Sequence, residues 1–400
     1  MTCRSLQPED YPTVKEILSE AFYQAVHGNP GVLDSLQEEP WYDPAHLLVA
    51  EVDGQIVSHM GVRDGLLSCS GVGVPAGLVG AVCTAAAVRG RGIGAQLMRA
   101  SFDHMRHGGL ALSYLHTSAE RAGFYSRLGY RRAVIENPRL TLRLADMGRE
   151  DPPQADPWTG MRAAAMADAE ALHRIYELQY GGQVSGSWSR TMTFWECRLR
   201  QQPKLFAPPR PMTFHVAGPG LPVAYVALLE AADSVTIGEW GCLPGAEEDA
   251  FGLLTSMLRH WRDRGIETAH LTISSCHPLR PLLEPFAADD QTGHSEIWVR
   301  VQNRELFLEK VRPLLEARAT AAGFRCEIRL PEDGSVLSFG RGEPFQAEIN
   351  VGDLCALIYN GRRLPGLLEE GTISVSVGDR AALDALFPDT GAARCAQDVY

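Results

Sequence analysis

The sequence predicts a mixed α/β protein of more than one domain, and three observations carry that reading. The chain has 400 residues, longer than one ordinary core supports. Its first third opens with alternating apolar segments and continues as β, α, β, α, the order of a mixed sheet flanked by helices. A second block repeats that element order with an unlike sequence.

In the first block, LLVAEV, the turn pair Asp53-Gly54 and QIVSHMGV read as a hairpin. Two further strands are expected, Leu66 to Val74 and Gly77 to Thr84. Ile93, Leu97, Phe102 and Met105 then recur at helical spacing. A strand from Leu110 to Leu115, a helical piece from Ala119 to Arg127 and a strand from Arg139 to Leu144 complete the block. Residues 148–159 hold three prolines among acidic and amide side chains, a linker composition.

The second block, 160–301, opens with a helix from Ala163 to Tyr180 and an extended run from Pro222 to Leu229. A helix from Phe251 to Arg264 stops at Gly265, and a strand from Glu296 to Val301 ends the block. In the third block, a helix from Leu306 to Ala321 precedes the strands Phe324 to Leu330, Val336 to Phe339 and Phe345 to Asn350. The helix Val351 to Tyr359, the strand Thr372 to Val377 and a helix near Asp379 follow. The tail from Pro388 to Tyr400 carries little pattern and reads as frayed.

Composition narrows the function. The net charge of −12 disfavours nucleic acid, whose phosphates need a basic footprint, and mildly favours a cationic substrate. No apolar run reaches the length of a membrane span, and the N-terminus lacks the apolar core of a signal peptide. Nine cysteines without ligand spacing fit free thiols in a reducing, cytoplasmic setting. No metal site is expected: His104 and His107 lie three apart on a helix without a third ligand in the sequence nearby.

The segment from Val82 to Ala95 carries the chemistry. A strand (Val82, Cys83, Thr84) enters a turn (Arg89, Gly90, Arg91, Gly92) that opens a helix at Ile93, Gly94 and Ala95. Helix N-termini offer unpaired N–H groups and a positive dipole end, a ready anion site. A P-loop would need Gly-Lys-Ser/Thr, which is absent. A dinucleotide fingerprint would prefer glycine at 95, where alanine stands; its tolerance of alanine leaves Gly90, Gly92 and Ala95 a weak match to it. Arg-x-x-Gly-x-Gly over 89–94 instead resembles the acyl-CoA loop of the GNAT acetyltransferases.

A second phrase, Gly123-Phe124-Tyr125-Ser126-Arg127-Leu128-Gly129-Tyr130, also resembles that family. The resemblance implies Tyr125 as the acid that protonates the departing thiolate, and a phenol suits that step. It implies acetyl-CoA as co-substrate, its pyrophosphate on the loop and its pantetheine arm along Val82 to Thr84. One N–H of that strand would meet the developing oxyanion. Ser118, at a helix start, is a further candidate contact.

Over its whole length the chain resembles the enhanced intracellular survival acetyltransferases. The residues that carry this are loop 89–94, Tyr125, the segment Ile297-Trp298-Val299-Arg300-Val301-Gln302-Asn303 and an aromatic last residue. The resemblance implies tandem GNAT folds, α/β (α+β) with mixed sheets flanked by helices, over 1–147 (active) and 160–301 (degenerate). It implies a third α+β domain like sterol carrier protein 2 over 302–400, a hexamer, and aminoglycoside, polyamine or lysine-like amine acceptors. It also implies that the carboxylate of Tyr400 acts as the base. Phe22, Tyr23 and Trp41 are candidates for an acceptor pocket. Between 160 and 301 no such loop recurs, and Gly238-Glu239-Trp240-Gly241 carries an acid near its expected place. The rival readings are an apolar-ligand carrier and an acetyl-CoA-binding regulator without turnover.

Overall fold

The first hairpin forms where expected: β1 (Thr2–Ser5) pairs β2 (Leu47–Val52), and β2 turns through Asp53-Gly54 into β3 (Gln55–Cys69). A computed structural model describes residues 1–22, 43–146, 161–181, 185–200, 212–218, 220–272, 280–359, 363–378 and 380–388. The two strands expected over 66–84 are instead the far end of β3 and one long strand, β4 (Val72–Thr84). The turn between them is Ser70-Gly71, both at positive φ (51° and 84°), which matches the twist of a two-residue hairpin. The apolar run from Leu66 to Val74 hides that turn, because Ser70 is neither asparagine nor aspartate.

Helix α1 (Tyr11–Ala21) lies on one face of these strands and α2 (Ile93–His107) on the other. Helix α2 buries Ile93, Leu97, Met98, Phe102 and Met105; each such side chain contributes about 1.5–3 kcal/mol. Then come β5 (Leu112–His116), α3 (Ala119–Ser126) and β6 (Arg131–Arg143).

The second block begins with a short strand, β7 (Arg162–Ala163), and α4 (Ala169–Tyr176). The helix expected through Tyr180 changes to a π-helical turn over Glu177–Gly181, which frees Gln179 and Tyr180 for the contacts described below. There follow α5 (Met192–Arg200), β8 (Met212–Ala217), β9 (Ala224–Glu230), β10 (Ser234–Cys242), α6 (Glu247–Asp263), β11 (Thr268–Thr272), α7 (Arg280–Leu283) and β12 (Ala287–Val301). The linker expected at 148–159 lies outside the described residues.

The two blocks share one twelve-stranded sheet, ordered β1-β2-β3-β4-β5-β12-β6-β11-β10-β9-β8-β7. Only β4–β5 and β10–β11 are parallel. Strand β12 inserts between β5 and β6, while β6 pairs β11. Each block thus lends one strand to the half-sheet of the other.

A repeat also marks the two starts. Arg4 grips Asp10 with both terminal guanidinium nitrogens (2.5 and 3.0 Å), and Arg162 grips Asp168 in the same way (2.5 and 2.7 Å). In each pair the aspartate also accepts a backbone N–H three residues earlier, at 2.7 Å.

The third block has α8 (Arg304–Ala322) and the sheet β14-β13-β15-β16, with β13 Phe324–Arg329, β14 Val336–Gly340, β15 Glu343–Ile349 and β16 Ile373–Val377. Helices α9 (Val351–Tyr359), α10 (Leu364–Glu369) and α11 (Arg380–Leu386) complete it. Helix α9 is buried along Asp353 to Tyr359 and packs on β6 and β12. Asp353 pairs with Arg131 at 3.2 Å. One core joins Leu67, Leu78, Tyr114 and Ile297 of the large sheet to Phe307, Phe345 and Tyr359. Among the described residues no helix is long and apolar enough to cross a membrane.

Candidate active site

A wedge opens where β4 leaves β5. The two strands pair only from Ala76↔Leu112 to Val79↔Leu115, so residues 80–84 have no ladder partner on that side. The cause lies in β4: two residues, Ala81 and Val82, stand opposite Met60 alone, and Ala81 adopts φ 52°. Such a bulge bends its strand and raises its twist. For alanine this conformation is strained, and the neighbours hold it. His59 places Nδ1 3.3 Å from the Ala81 carbonyl, and Ser58 Oγ donates to the Cys83 carbonyl at 2.6 Å and meets Thr84 Oγ1 at 2.8 Å. Burial pushes the His59 imidazole down to about 4, so it is neutral at pH 7.

Beyond Thr84 a cavity of about 810 Å³ is lined by Val82, Cys83, Thr84, the turn into α2 and the outer face of α3. Gly92, at φ 80°, is the N-cap of α2 and offers no side-chain cap. No acid stands in the first turn, so the N–H groups of Ile93, Gly94 and Ala95 are left to a ligand. A Cβ on Gly94 would lie 3.2 Å from Thr84 Oγ1, so glycine lets helix and strand end meet. Arg89 donates from Nε to the Thr84 carbonyl at 2.8 Å, and its Nη2 lies 3.9 Å from Glu20. Glu20 also accepts from Ala86 N at 3.3 Å.

Tyr125 lines the same cavity from α3. It is 7% exposed and rests edge-to-face on Phe124 and Tyr130, with centroids at 5.0 and 5.8 Å. Burial holds its phenol above the usual tyrosine value, against a smaller downward pull from Arg121. Arg300 of β12 fixes this corner, donating to the Leu128 carbonyl at 3.0 Å and stacking 3.9 Å over Phe102.

The fold therefore brings Val82, Cys83, Thr84, Arg89, Gly90, Gly92, Ile93, Gly94, Ala95 and Tyr125 to one cavity. It does not bring Ser118 or Arg91 to the wall: Ser118 is the N-cap of α3 and both are exposed. Phe22 reaches the wall; Tyr23, Trp41 and Tyr400 lie outside the described residues. Sequence reading missed Arg99, Arg121 and Arg127 on the wall, and Ser58, His59 and Arg300 behind it. Arg127 was visible inside the phrase around Tyr125; Ser58 and His59 gave no signal, since their role depends on register. His46 meets His104 edge-on at 5.5 Å, yet no group of described residues is arranged to hold a metal.

Known proteins resemble this chain in sequence and in fold. Residues 2–133 match the family described as acetyltransferase (GNAT) domain. Mycothiol acetyltransferase of Cellulomonas flavigena is 31% identical over 110 residues, covering 26% of this chain and 32% of that protein. The match thus spans about a third of that relative's length.

Three solved structures align along almost the whole chain. A conserved protein of Enterococcus faecalis V583, described as a probable N-acyltransferase, superposes at TM-score 0.71 with 16% identity, over 98% of this chain and 97% of its own. A GCN5-related N-acetyltransferase of Kribbella flavida gives 0.69 at 18% identity, over 98% of each. Eis1 of Mycobacterium abscessus gives 0.66 at 17% identity, over 99% and 98%. At such identities the likeness is one of fold: tandem GNAT-like halves in a mixed α/β chain. Residues 2–133, with their bulged strand, uncapped helix and Tyr125, are a GNAT acetyltransferase domain.

Proposed function

We propose that the chain is an N-acetyltransferase that moves an acetyl group directly from acetyl-CoA to a primary amine. The observation that carries this is the open wedge at β4, with the uncapped N-terminus of α2 and Tyr125 on one cavity wall. The first-turn N–H groups of α2 would take the pyrophosphate, and Val82 to Thr84 the pantetheine arm. An N–H of that strand would stabilise the oxyanion as the amine attacks the thioester carbon. The C–N bond forms, the C–S bond breaks, and Tyr125 gives its proton to the thiolate. A phenol held above its ordinary pKa is fully protonated at neutral pH, as that role requires.

Direct transfer is favoured over an acetyl-enzyme. The cysteine beside the wedge, Cys83, is 6% exposed, faces α1, and has its thiol pushed up to about 12 by burial. It is a poor nucleophile at pH 7.

The acceptor is read as a cationic amine, an aminoglycoside, polyamine or lysine-like group, in line with the charge of −12. The carboxylate of Tyr400 is the proposed base. The boundaries 1–147, 160–301 and 302–400, the sterol-carrier-protein-2-like third domain, the hexamer and the cytoplasmic setting belong to the same reading. The likeness in fold to Eis1 supports it.

The test is thiol release from acetyl-CoA with aminoglycosides, polyamines and lysine peptides as acceptors. Release that depends on one acceptor class, lowered at least about a hundredfold by Tyr125→Phe with acetyl-CoA binding retained, is expected. Absence of both binding and release would overturn the reading.

A further inference from the structure

The cavity holds more positive charge than a pyrophosphate needs. Four arginines line it, Arg89, Arg99, Arg121 and Arg127, in a chain of net charge −12. They divide into two kinds. Arg89 is engaged, with Nε on the Thr84 carbonyl and Nη2 facing Glu20, so it braces the strand end. Arg99, Arg121 and Arg127 form no ion pair among the described residues. All three are exposed, and Glu120 is the one acid on the wall beside them.

Their places are away from the loop. Arg99 lies six residues past Ile93 on α2, about 9 Å along the axis at 1.5 Å per residue. Arg121 and Arg127 belong to the opposite wall. Arg121 stands one turn before Tyr125, close enough to pull on its phenol, and Arg127 caps the end of α3. The Arg127 head folds back over α3: its Nη1 would sit 3.6 Å from a Cβ on Gly123.

A pyrophosphate diester is already served by the free N–H groups of α2. Three further cations, unpaired and facing one mouth, call for a second anionic group of high charge. A phosphomonoester carries about −1.5 to −2 at pH 7 and three acceptor oxygens. Arginine heads suit it by their paired donors.

We infer that Arg99, Arg121 and Arg127 form a phosphomonoester subsite that selects the 3′-phosphate of coenzyme A, distinct from the pyrophosphate loop. This rests on the acetyl-CoA reading above. The subsite makes the cavity discriminate acetyl-CoA from its 3′-dephospho form. Because the three heads are exposed, that discrimination weakens with ionic strength.

Titration calorimetry on the full chain tests this with acetyl-CoA and 3′-dephospho-acetyl-CoA at low and high salt. The expected result is about tenfold or more tighter binding of acetyl-CoA at low salt, narrowing as salt rises. Arg99→Ala, Arg121→Ala and Arg127→Ala together should collapse the difference, with binding of the dephospho form showing that the variant is folded. Adenosine 3′,5′-bisphosphate should compete with acetyl-CoA better than ADP does, and lose that advantage in the variant. Equal affinities for the two thioesters in the unaltered protein overturn the subsite and leave the acetyl-CoA reading standing. Equal weakening of both ligands by the arginine changes also overturns it. Binding of neither thioester overturns both.

Discussion

The bulged strand of the first half-sheet runs into Arg89-Gly90-Arg91-Gly92; that of the second runs into Leu243-Pro244-Gly245-Ala246. Up to that point the halves follow one plan. Strand β10 pairs β11 only over Ser234 to Ile237, then carries an extra residue, Gly238, as β4 carries one past Gly80. In each half a carbonyl just past the bulge is held by a side chain: Thr84 by Arg89, Trp240 by Tyr180 at 2.5 Å. In each a side chain near the end of the first helix accepts an N–H two residues on, Glu20 from Ala86 and Gln179 from Cys242.

The halves part in what closes the opening. Where β4 has Cys83, β10 has Glu239, and on that face Arg190 grips it with both nitrogens at 2.7 and 2.8 Å. Tyr225 adds a hydrogen bond at 2.7 Å, and Tyr176 stacks 3.8 Å from the Arg190 head. On the other face the first turn of α6 is Glu247, Glu248 and Asp249, so the helix meets its own positive end with carboxylates. A shared plan thus has two outcomes: open, it leaves helix N–H groups and a strand edge to a ligand; closed, it is core. The acid that the sequence places at 239 therefore does not face a ligand. Its charge is consumed inside.

The largest effect should come from breaking that closure. Arg190 and Glu239 are 0% and 1% exposed, so Glu239→Ala removes the carboxylate that a buried guanidinium faces. About 3–5 kcal/mol of stability should be lost in denaturant unfolding. The acetyl-CoA stoichiometry should stay at one per chain, because the acids of α6 remain. A second binding event in this variant would mean that the ion pair alone closes the second half.

The first half carries a liability the second lacks at the matching place. His59 stands opposite Cys83, while Ala227 stands opposite Glu239. His59 is buried and held neutral, with its pKa near 4 against 6.5 for the free side chain. Between those values the unfolded chain binds a proton that the fold refuses. The His59 contribution is therefore complete above pH 6.5 and is lost as pH falls toward 4, up to about 3 kcal/mol. Unfolding of wild type and His59→Gln between pH 7 and 4.5 checks this: the curves should converge in acid. Parallel curves would remove His59 as the acid-sensitive group.

A smaller change should turn the open half toward the closed one. Ala95 occupies the third position of α2, as Asp249 does in α6. Ala95→Asp should leave the fold unchanged or stabilise it slightly, since an acid suits a helix start. The same carboxylate should lower acetyl-CoA affinity about tenfold, by facing the phosphates. Stability and affinity moving together would sink the idea that this N-terminus is the anion site.

What the sequence disclosed followed from local patterns. Helix α9 and the strands of the third block were legible because apolar spacing and glycine punctuation suffice there. The turn at 89–95 was legible because its glycine spacing marks a strand passing into a helix; the places of its arginines were not, since Arg89 braces the Thr84 carbonyl and Arg91 stays off the cavity wall. The exchange of β6 and β12 was not, since strand partners many residues apart leave no local mark. The clamp of Ser58 and His59 was hidden because it arises from a one-residue offset in register. Arg4 and Asp10, with Arg162 and Asp168, were a signal passed over: the six-residue spacing recurs 158 positions later, and it marks the tandem copy better than any motif near the cavity.

That repeated pair gives the strictest comparison. Both aspartates are buried and bridge the first strand to the first helix of their half. Their carboxyls are held below the usual range, first by the partner arginine, so the stabilisation is present at neutral pH and fades as pH falls. Asp10→Asn and Asp168→Asn keep the shape and remove the charge, and each should cost about 1–2 kcal/mol. The sites lie in different half-sheets with no shared partner, so the double variant should lose the sum. A marked excess over that sum would mean that the exchanged strands couple the two sites energetically, so that loosening the start of one half weakens the other.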